Sequence, residues 1–181
     1  MKIIQSHTLT DEQVTEIETL QDVSYLPEGL GNRVFLSSAM NVYNDLDCFF
    51  LGYEDNTLIS FLCAFFPGRK EVEFNGFTHP EHRRQGHFTL LVEHAICVYT
   101  AYPFSQALFQ REQNSQSGLS YLQKRYPELD RSEYVMILEK QHWMNKEHIG
   151  TLELVEAQNK EDTIAVISDS FEEDREESSH T

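Results

Sequence analysis

Apolar residues recur along the first 140 positions with two different periods, and each change of period marks a change between strand and helix. Ile3 and Ile4 give a short apolar start that predicts a strand. Thr10, followed three residues later by Gln13, has the form of a capping box, and Val14, Ile17 and Leu20 then share one helical face. Pro27, Gly29 and Gly31 break this pattern, after which residues 33–42, with Val34, Phe35, Leu36 and Met40, predict a second, shorter helix.

Residues 48–53 and 57–66 are aromatic and β-branched runs joined by Glu54-Asp55-Asn56, which predicts a hairpin ended by Pro67-Gly68. Residues 71–78 alternate polar with apolar and form a third linked strand leading to His79-Pro80. Phe88, Leu91, Val92, Ala95, Val98 and Tyr99 recur at helical spacing until Pro103 stops them. A short strand over 107–110, a helix over 117–125 and a strand over 134–138 complete the series. The order predicts an α/β domain over residues 1–140, with helices flanking one mixed, mostly antiparallel sheet.

Beyond it, polar residues 141–150 read as a linker, and residues 151–173 as a strand followed by a helix carrying Ile164, Ile167 and Phe171. Residues 174–181 are too acidic and polar to bury and are expected to be disordered. A chain of 181 residues with a hydrophobic fraction of 40% has material for one well-formed core.

Charge narrows the choice of partner. Fourteen basic against thirty acidic side chains leave a formal charge of -16, which repels nucleic acid and anionic membranes and favours a cationic or amine-bearing partner. Cys48, Cys63 and Cys97 are odd in number and sit among apolar neighbours, so buried, reduced thiols are expected. Polar residues follow Met1-Lys-Ile-Ile at once, and no apolar run reaches the length of a membrane span; a cytoplasmic location is the expectation.

The candidate chemistry lies in His79-Pro-Glu-His-Arg-Arg-Gln-Gly-His-Phe88, where a strand passes through a basic turn into a helix N-terminus. Free N–H groups of the first helical turn and the positive end of the helix dipole favour an anion there, and Gly86 lets a phosphate approach the backbone. Arg83 and Arg84 add charge. His79, His82 and His87 share the loop, but no carboxylate or cysteine stands at a recognised ligand spacing, so no metal site is expected. The absence of G-x-S-x-G, GxxxxGK[ST] and G-x-G-x-x-G argues against hydrolase, nucleoside triphosphatase and dinucleotide chemistry.

Arg83-Arg-Gln-Gly86-His-Phe88 resembles the R/Q-x-x-G-x-G/A signature of the GNAT acetyltransferases, with Phe88 in place of the last small residue. Phe77-Thr78-His79-Pro80 is similar to that family's valine-x-proline strand end, and Asn114 followed seven residues later by Tyr121 resembles its N-x-x-A-x-x-x-Y pattern. The resemblance implies a GNAT-like acyl-coenzyme A N-acyltransferase fold in which two strands part near the loop. It further implies that acetyl-CoA (acetyl-coenzyme A) is held by Phe77, Thr78, Arg83, Arg84, Gln85, Gly86, His87, Phe88, Thr89 and Asn114, with Tyr121 as the acid that protonates the departing thiolate.

Acetyl transfer to an amine also needs a base, for which Glu73, with Glu71 on the same strand face, is the candidate. The acceptor is expected to be an amine-bearing small molecule or peptide entering beside Phe35, Phe49 and Phe50, three aromatics that equally suit a core. Homo-oligomerisation is left open. Residues 151–173 are similar to the opening of a second domain, as in tandem GNAT proteins. The rival expectation is a non-catalytic acyl-coenzyme A-binding or interaction module.

Overall fold

A computed structural model describes residues 1–128, 132, 160, 161 and 164. The chain divides into two compact units, Met1–Pro127 and Glu128–Thr181. The expected strands over 134–138 and 151–156, the linker and the acidic tail lie outside the described residues. In the second unit Lys160, Glu161 and Ile164 are helical.

The first unit contains strand β1 (Lys2–Ser6), helix α1 (Asp11–Tyr25), strands β2 (Phe49–Glu54), β3 (Thr57–Phe65) and β4 (Glu71–Thr78), helix α2 (His87–Tyr99), strand β5 (Gln106–Phe109) and helix α3 (Gln116–Arg125). Short 3-10 turns follow α1 (Leu26–Glu28) and β4 (Pro80–His82). The expected capping box is present: Thr10 Oγ1 accepts from Gln13 N at 3.2 Å, and Gln13 Oε1 accepts from Thr10 N at 2.9 Å. Asp55 and Asn56, at φ 47° and 64°, make the tight turn between β2 and β3, whose left-handed residues match the strand twist.

The five strands form one sheet in sequence order, antiparallel from β1 to β4 and parallel between β4 and β5. Strand alternation sends Phe49, Phe61, Cys63 and Phe77 to the face that meets α1, where Phe77 lies edge-on to Tyr25 with ring centres 5.5 Å apart. Phe50 and Phe74 go to the opposite face, where both rings contact Tyr99 of α2. Phe49, Phe50, Phe61, Phe66 and Phe74 are all buried in this core, so Phe49 and Phe50 do not line an acceptor entrance.

Residues 33–42 do not form the expected helix. Partners far along the chain take their backbone groups instead. Gln21 Oε1 accepts from Val34 N at 3.4 Å, Gln21 Nε2 donates to Asn32 O at 3.0 Å, and Val42 N donates to Phe66 O at 3.0 Å. Glu112 Oε1 meanwhile accepts from Gly31 N and Asn32 N, each at 2.9 Å. These bonds hold the entry and the two ends of the segment in an extended path that competes with a helical ladder. The cysteine expectation also needs correction: Cys48 and Cys63 are buried, but Cys97 is exposed because it lies off the apolar stripe of α2.

Candidate functional site

The parallel register between β4 and β5 runs from Glu71 opposite Gln106 to Phe74 opposite Phe109, and one further bond joins Gln110 N to Phe74 O at 2.9 Å. β4 continues to Thr78 without a β5 partner, so the two strands part after Phe74. The bond from His79 N to Ile59 O makes that pair hydrogen-bonded, and alternation along the ladder makes Phe77 and Phe61 another. The peptide groups of Phe77 therefore face β3, and those of Gly76 and Thr78 face the gap. Phe77, which the family resemblance places at the coenzyme, thus has its main chain paired with β3. Gly76 is a residue that sequence reasoning missed, although a glycine inside a strand signals a close approach.

At the end of this gap the loop reaches α2 through two left-handed residues, Arg84 at φ 62° and Gly86 at φ 90°. Gly86 is the N-cap of α2, and the first bond of that helix runs from Leu90 N to Gly86 O at 3.0 Å. The N–H groups of Gly86, His87, Phe88 and Thr89 thus precede the ladder and lie at the positive end of the helix dipole. A Cβ placed on Gly86 would meet no atom within 4 Å, so the space before it is open.

The arginines divide their work. Arg83 turns inward: Nε donates to Thr78 O at 3.2 Å, one terminal nitrogen to Glu28 Oε1 at 2.8 Å and the other to Ser24 O at 2.9 Å. Arg84 is exposed, as are Gln85 and Gly86, and Gln85 Nε2 donates to Glu81 O at 3.1 Å. Burial raises the pKa of the Glu28 carboxyl, but hydrogen bonds from Ser117 and the charge of Arg83 outweigh it and hold the group below the usual carboxylate range.

Phe88 packs inward. A Cβ on Gly76 would strike Phe61 O and come within 2.8 Å of Phe88 Cε2, so the bare glycine leaves room for the ring. Phe88 lies edge-on to Tyr121, with ring centres 5.0 Å apart. Tyr121 Oη is buried and makes no close, well-aligned hydrogen bond among the described residues, with the Thr89 side chain as its weakly bonding polar neighbour. Burial pushes the Tyr121 phenol up, and the side chain of Thr89 opposes that rise. Asn114 is exposed in the turn before α3, next to Ser115, whose hydroxyl caps that helix by accepting from Gly118 N at 3.1 Å.

On the α1 face a cavity of about 300 Å³ has Val34, Phe35, Met40 and Phe65 as apolar walls and Glu73 and Gln110 as polar ones. The Glu73 carboxylate accepts from Gln110 Nε2. Phe35 is 54% exposed, so it is the one aromatic of the expected three that borders an entrance. Gln110 carried no signal in the sequence, because only the register of β5 brings it beside Glu73.

No protein-family profile and no curated protein matches this sequence. Solved structures do. A ribosomal-protein-alanine N-acetyltransferase from Brucella melitensis biovar Abortus 2308 superposes with a TM-score of 0.54 at 16% identity, over 76% of this chain and 100% of that one. An aminoglycoside acetyltransferase from an uncultured soil metagenomic sample gives 0.55 at 14% identity, over 76% and 96%. A GNAT-family acetyltransferase from Streptococcus pneumoniae TIGR4 gives 0.54 at 12% identity, over 77% and 98%. Together with the parted strands and the glycine-opened helix, these likenesses show that the chain has the GNAT acetyltransferase fold.

Proposed function

We propose that this protein is an N-acetyltransferase that uses acetyl-CoA and acts on an amine. The observation that carries the reading is the parting of β4 from β5 at Phe74, directly before the uncapped N–H groups of α2. The residues present fit the coenzyme on two counts: the space before Gly86 is open, and the buried Tyr121 Oη has no close hydrogen bond among the described residues, only its weak Thr89 neighbour.

Bound acetyl-CoA supplies an activated acetyl group and a thiolate leaving group. The N–H groups of Gly86, His87, Phe88 and Thr89 hold its pyrophosphate, with Arg84 adding charge, while Gln85 and Arg83 shape the loop. The Gly76 carbonyl and the Thr78 N–H would pair with the pantetheine arm, the Thr78 carbonyl being held by Arg83 Nε, and the Gly76 N–H would serve as the donor toward negative charge on the thioester oxygen. Asn114, before α3, contacts the coenzyme. Tyr121 donates its phenolic proton to the departing thiolate, a role suited to a group that stays neutral well above neutral pH. Glu73, held by Gln110 at the cavity wall, takes the proton from the acceptor ammonium.

An acyl-coenzyme A-binding module without turnover is the second reading. It is favoured by one observation: Tyr121 packs among Phe88, Phe109 and Tyr126 as a core aromatic would. Thiol release from acetyl-CoA against a panel of small amines, amino acids and peptides tests the proposal. Turnover with at least one amine is expected. A coenzyme-induced rise in Tm without thiol release on any of them would favour the binding module, and the loss of both would overturn the coenzyme site itself.

A further inference from the structure

The turn between β2 and β3 brings Glu54 to the loop that opens α2, a neighbourhood that no spacing in the sequence announces. Glu54 Oε2 lies 3.4 Å from His82 Nδ1, and Glu54 Oε1 lies 3.7 Å from His87 Nε2. One ligand atom from each of these three residues falls within 4.8 Å of the others. We propose that Glu54, His82 and His87 bind a divalent transition-metal ion of the zinc class, which clips the β2–β3 turn to the start of α2.

Three observations support this. Charge-assisted N–H···O bonds favour about 2.7–2.9 Å, so both contacts are too long to be good hydrogen bonds. Metal–nitrogen and metal–oxygen bonds of about 2.0–2.2 Å at tetrahedral angles place neighbouring ligand atoms roughly 3.3 Å apart. Each histidine nitrogen lies near that distance from one oxygen of the Glu54 carboxylate, and the set of one atom per residue, within 4.8 Å, closes around an ion by small side-chain rotations. His87 is only 8% exposed, and both of its ring nitrogens, like His82 Nδ1, are buried without a hydrogen-bond partner among the described residues.

The donor set also selects the ion. Two imidazoles and one carboxylate suit zinc, cobalt or nickel, whereas calcium and magnesium favour all-oxygen sites. The neighbouring His79 stays outside, since its Nδ1 accepts from Glu81 N at 3.3 Å. Glu54 and His82 are each about one-third exposed, which gives the ion a route from solvent and leaves a coordination position for water. The Met1 amino group, 3.8 Å from Glu54 Oε1, is the one competing cation that faces the carboxylate among the described residues.

The proposal stands apart from acetyl transfer, so its test uses no coenzyme. The full-length protein, stripped of metal with a chelator, is titrated with Co²⁺, followed by the visible absorption of low-coordinate cobalt, and then with Zn²⁺ in competition. One equivalent per chain is expected, with a rise in Tm of about 5–10 °C at a hundredfold excess over Kd. Glu54→Gln and His82→Gln, chosen because neither side chain is deeply buried, should each weaken binding at least tenfold while keeping the wild-type circular dichroism. His7→Gln, elsewhere on the surface, should bind as wild type does. The proposal is overturned if wild type develops no cobalt bands, or if Glu54→Gln and His82→Gln bind as tightly as wild type, which would assign uptake to others of the eight histidines.

Discussion

Arg83 and Glu28 meet at 2.8 Å beneath the loop that opens α2, and the second oxygen of the same carboxylate accepts from Ser117 N, in the first turn of α3, at 3.0 Å. One side chain thus ties together the turn after α1, the loop after β4 and the start of α3. The remaining Arg83 donors reach Ser24 O and Thr78 O, so the arginine fixes the end of β4 as well. Arg83 therefore anchors the base of the loop that opens α2 to three other segments of the chain.

Replacing Glu28 by Gln should destabilise the fold by about 2–3 kcal/mol at pH 7, since Arg83 loses its counter-charge and an NH2 donor takes the place of one of the two oxygens that accept from Arg83 and Ser117 N. The sign of the pH dependence follows from the lowered Glu28 pKa. A carboxyl depressed in the folded state stabilises fully above its unfolded pKa, and that stability is lost as the pH falls through the folded pKa. The gap between wild type and Glu28→Gln should therefore narrow on acidification, as urea unfolding at pH 7 and pH 3 would read. A gap that is constant with pH would refute a role for ionised Glu28.

Gly86 carries a different kind of constraint, because its φ of 90° is strained for any side chain although nothing crowds the position. Gly86→Ala should fold with a cost of about 1–3 kcal/mol. Gly86→Asp adds a carboxylate where the pyrophosphate is proposed to sit. In thermal unfolding, acetyl-CoA at a hundred times its Kd should stabilise wild type by ~2.7 kcal/mol and leave Gly86→Asp unmoved. The absence of any rise for wild type at millimolar coenzyme would sink the proposed site.

Much of this architecture was legible because the chain's local signals agree with its fold: the capping box at Thr10, the turn at Asp55-Asn56 and the apolar stripe of α2 all form where the pattern places them. Residues 33–42 failed because helix propensity lost to hydrogen bonds with Gln21 and Phe66, partners that no local window contains. The passage of the loop from a strand into a glycine-opened helix N-terminus was legible. The direction of its individual groups was not: only strand register shows that Gly76, and not Phe77, faces the gap, and only tertiary contacts show that Arg83 turns inward. Glu54 and Gln110 were invisible for the same reason, since each reaches its partner through sheet topology.

Tyr121→Phe separates catalysis from packing. Its hydroxyl is buried with only a weak Thr89 neighbour, so removing it should change the unfolding free energy by no more than about 0.5 kcal/mol. Coenzyme affinity should hold while kcat falls roughly 10²- to 10⁴-fold, as for loss of a positioned acid. Because the folded phenol titrates above its usual range, wild-type activity should show no alkaline fall from Tyr121 near pH ~10. An unchanged rate, with chemistry shown to be limiting, would return Tyr121 to the core.

Glu73 and Glu71 point to the same face of β4; Glu73 lines the cavity and accepts from Gln110, while Glu71 lies opposite Gln106 at the paired end of the strand. Two residues along a strand are about 7 Å apart, so the carboxylate at the cavity wall is the one beside an acceptor bound there. If Glu73 is the base, Glu73→Gln should lower turnover most at low pH, where free amine is scarce and proton removal limits the rate. Gln110→Ala should produce a milder loss with the same pH dependence, because it frees the carboxylate without removing it. Glu71→Gln should leave the profile nearly unchanged. Equal losses for the two glutamates, independent of pH, would instead mean that the acidic strand attracts cationic acceptors through its field, with water taking the proton.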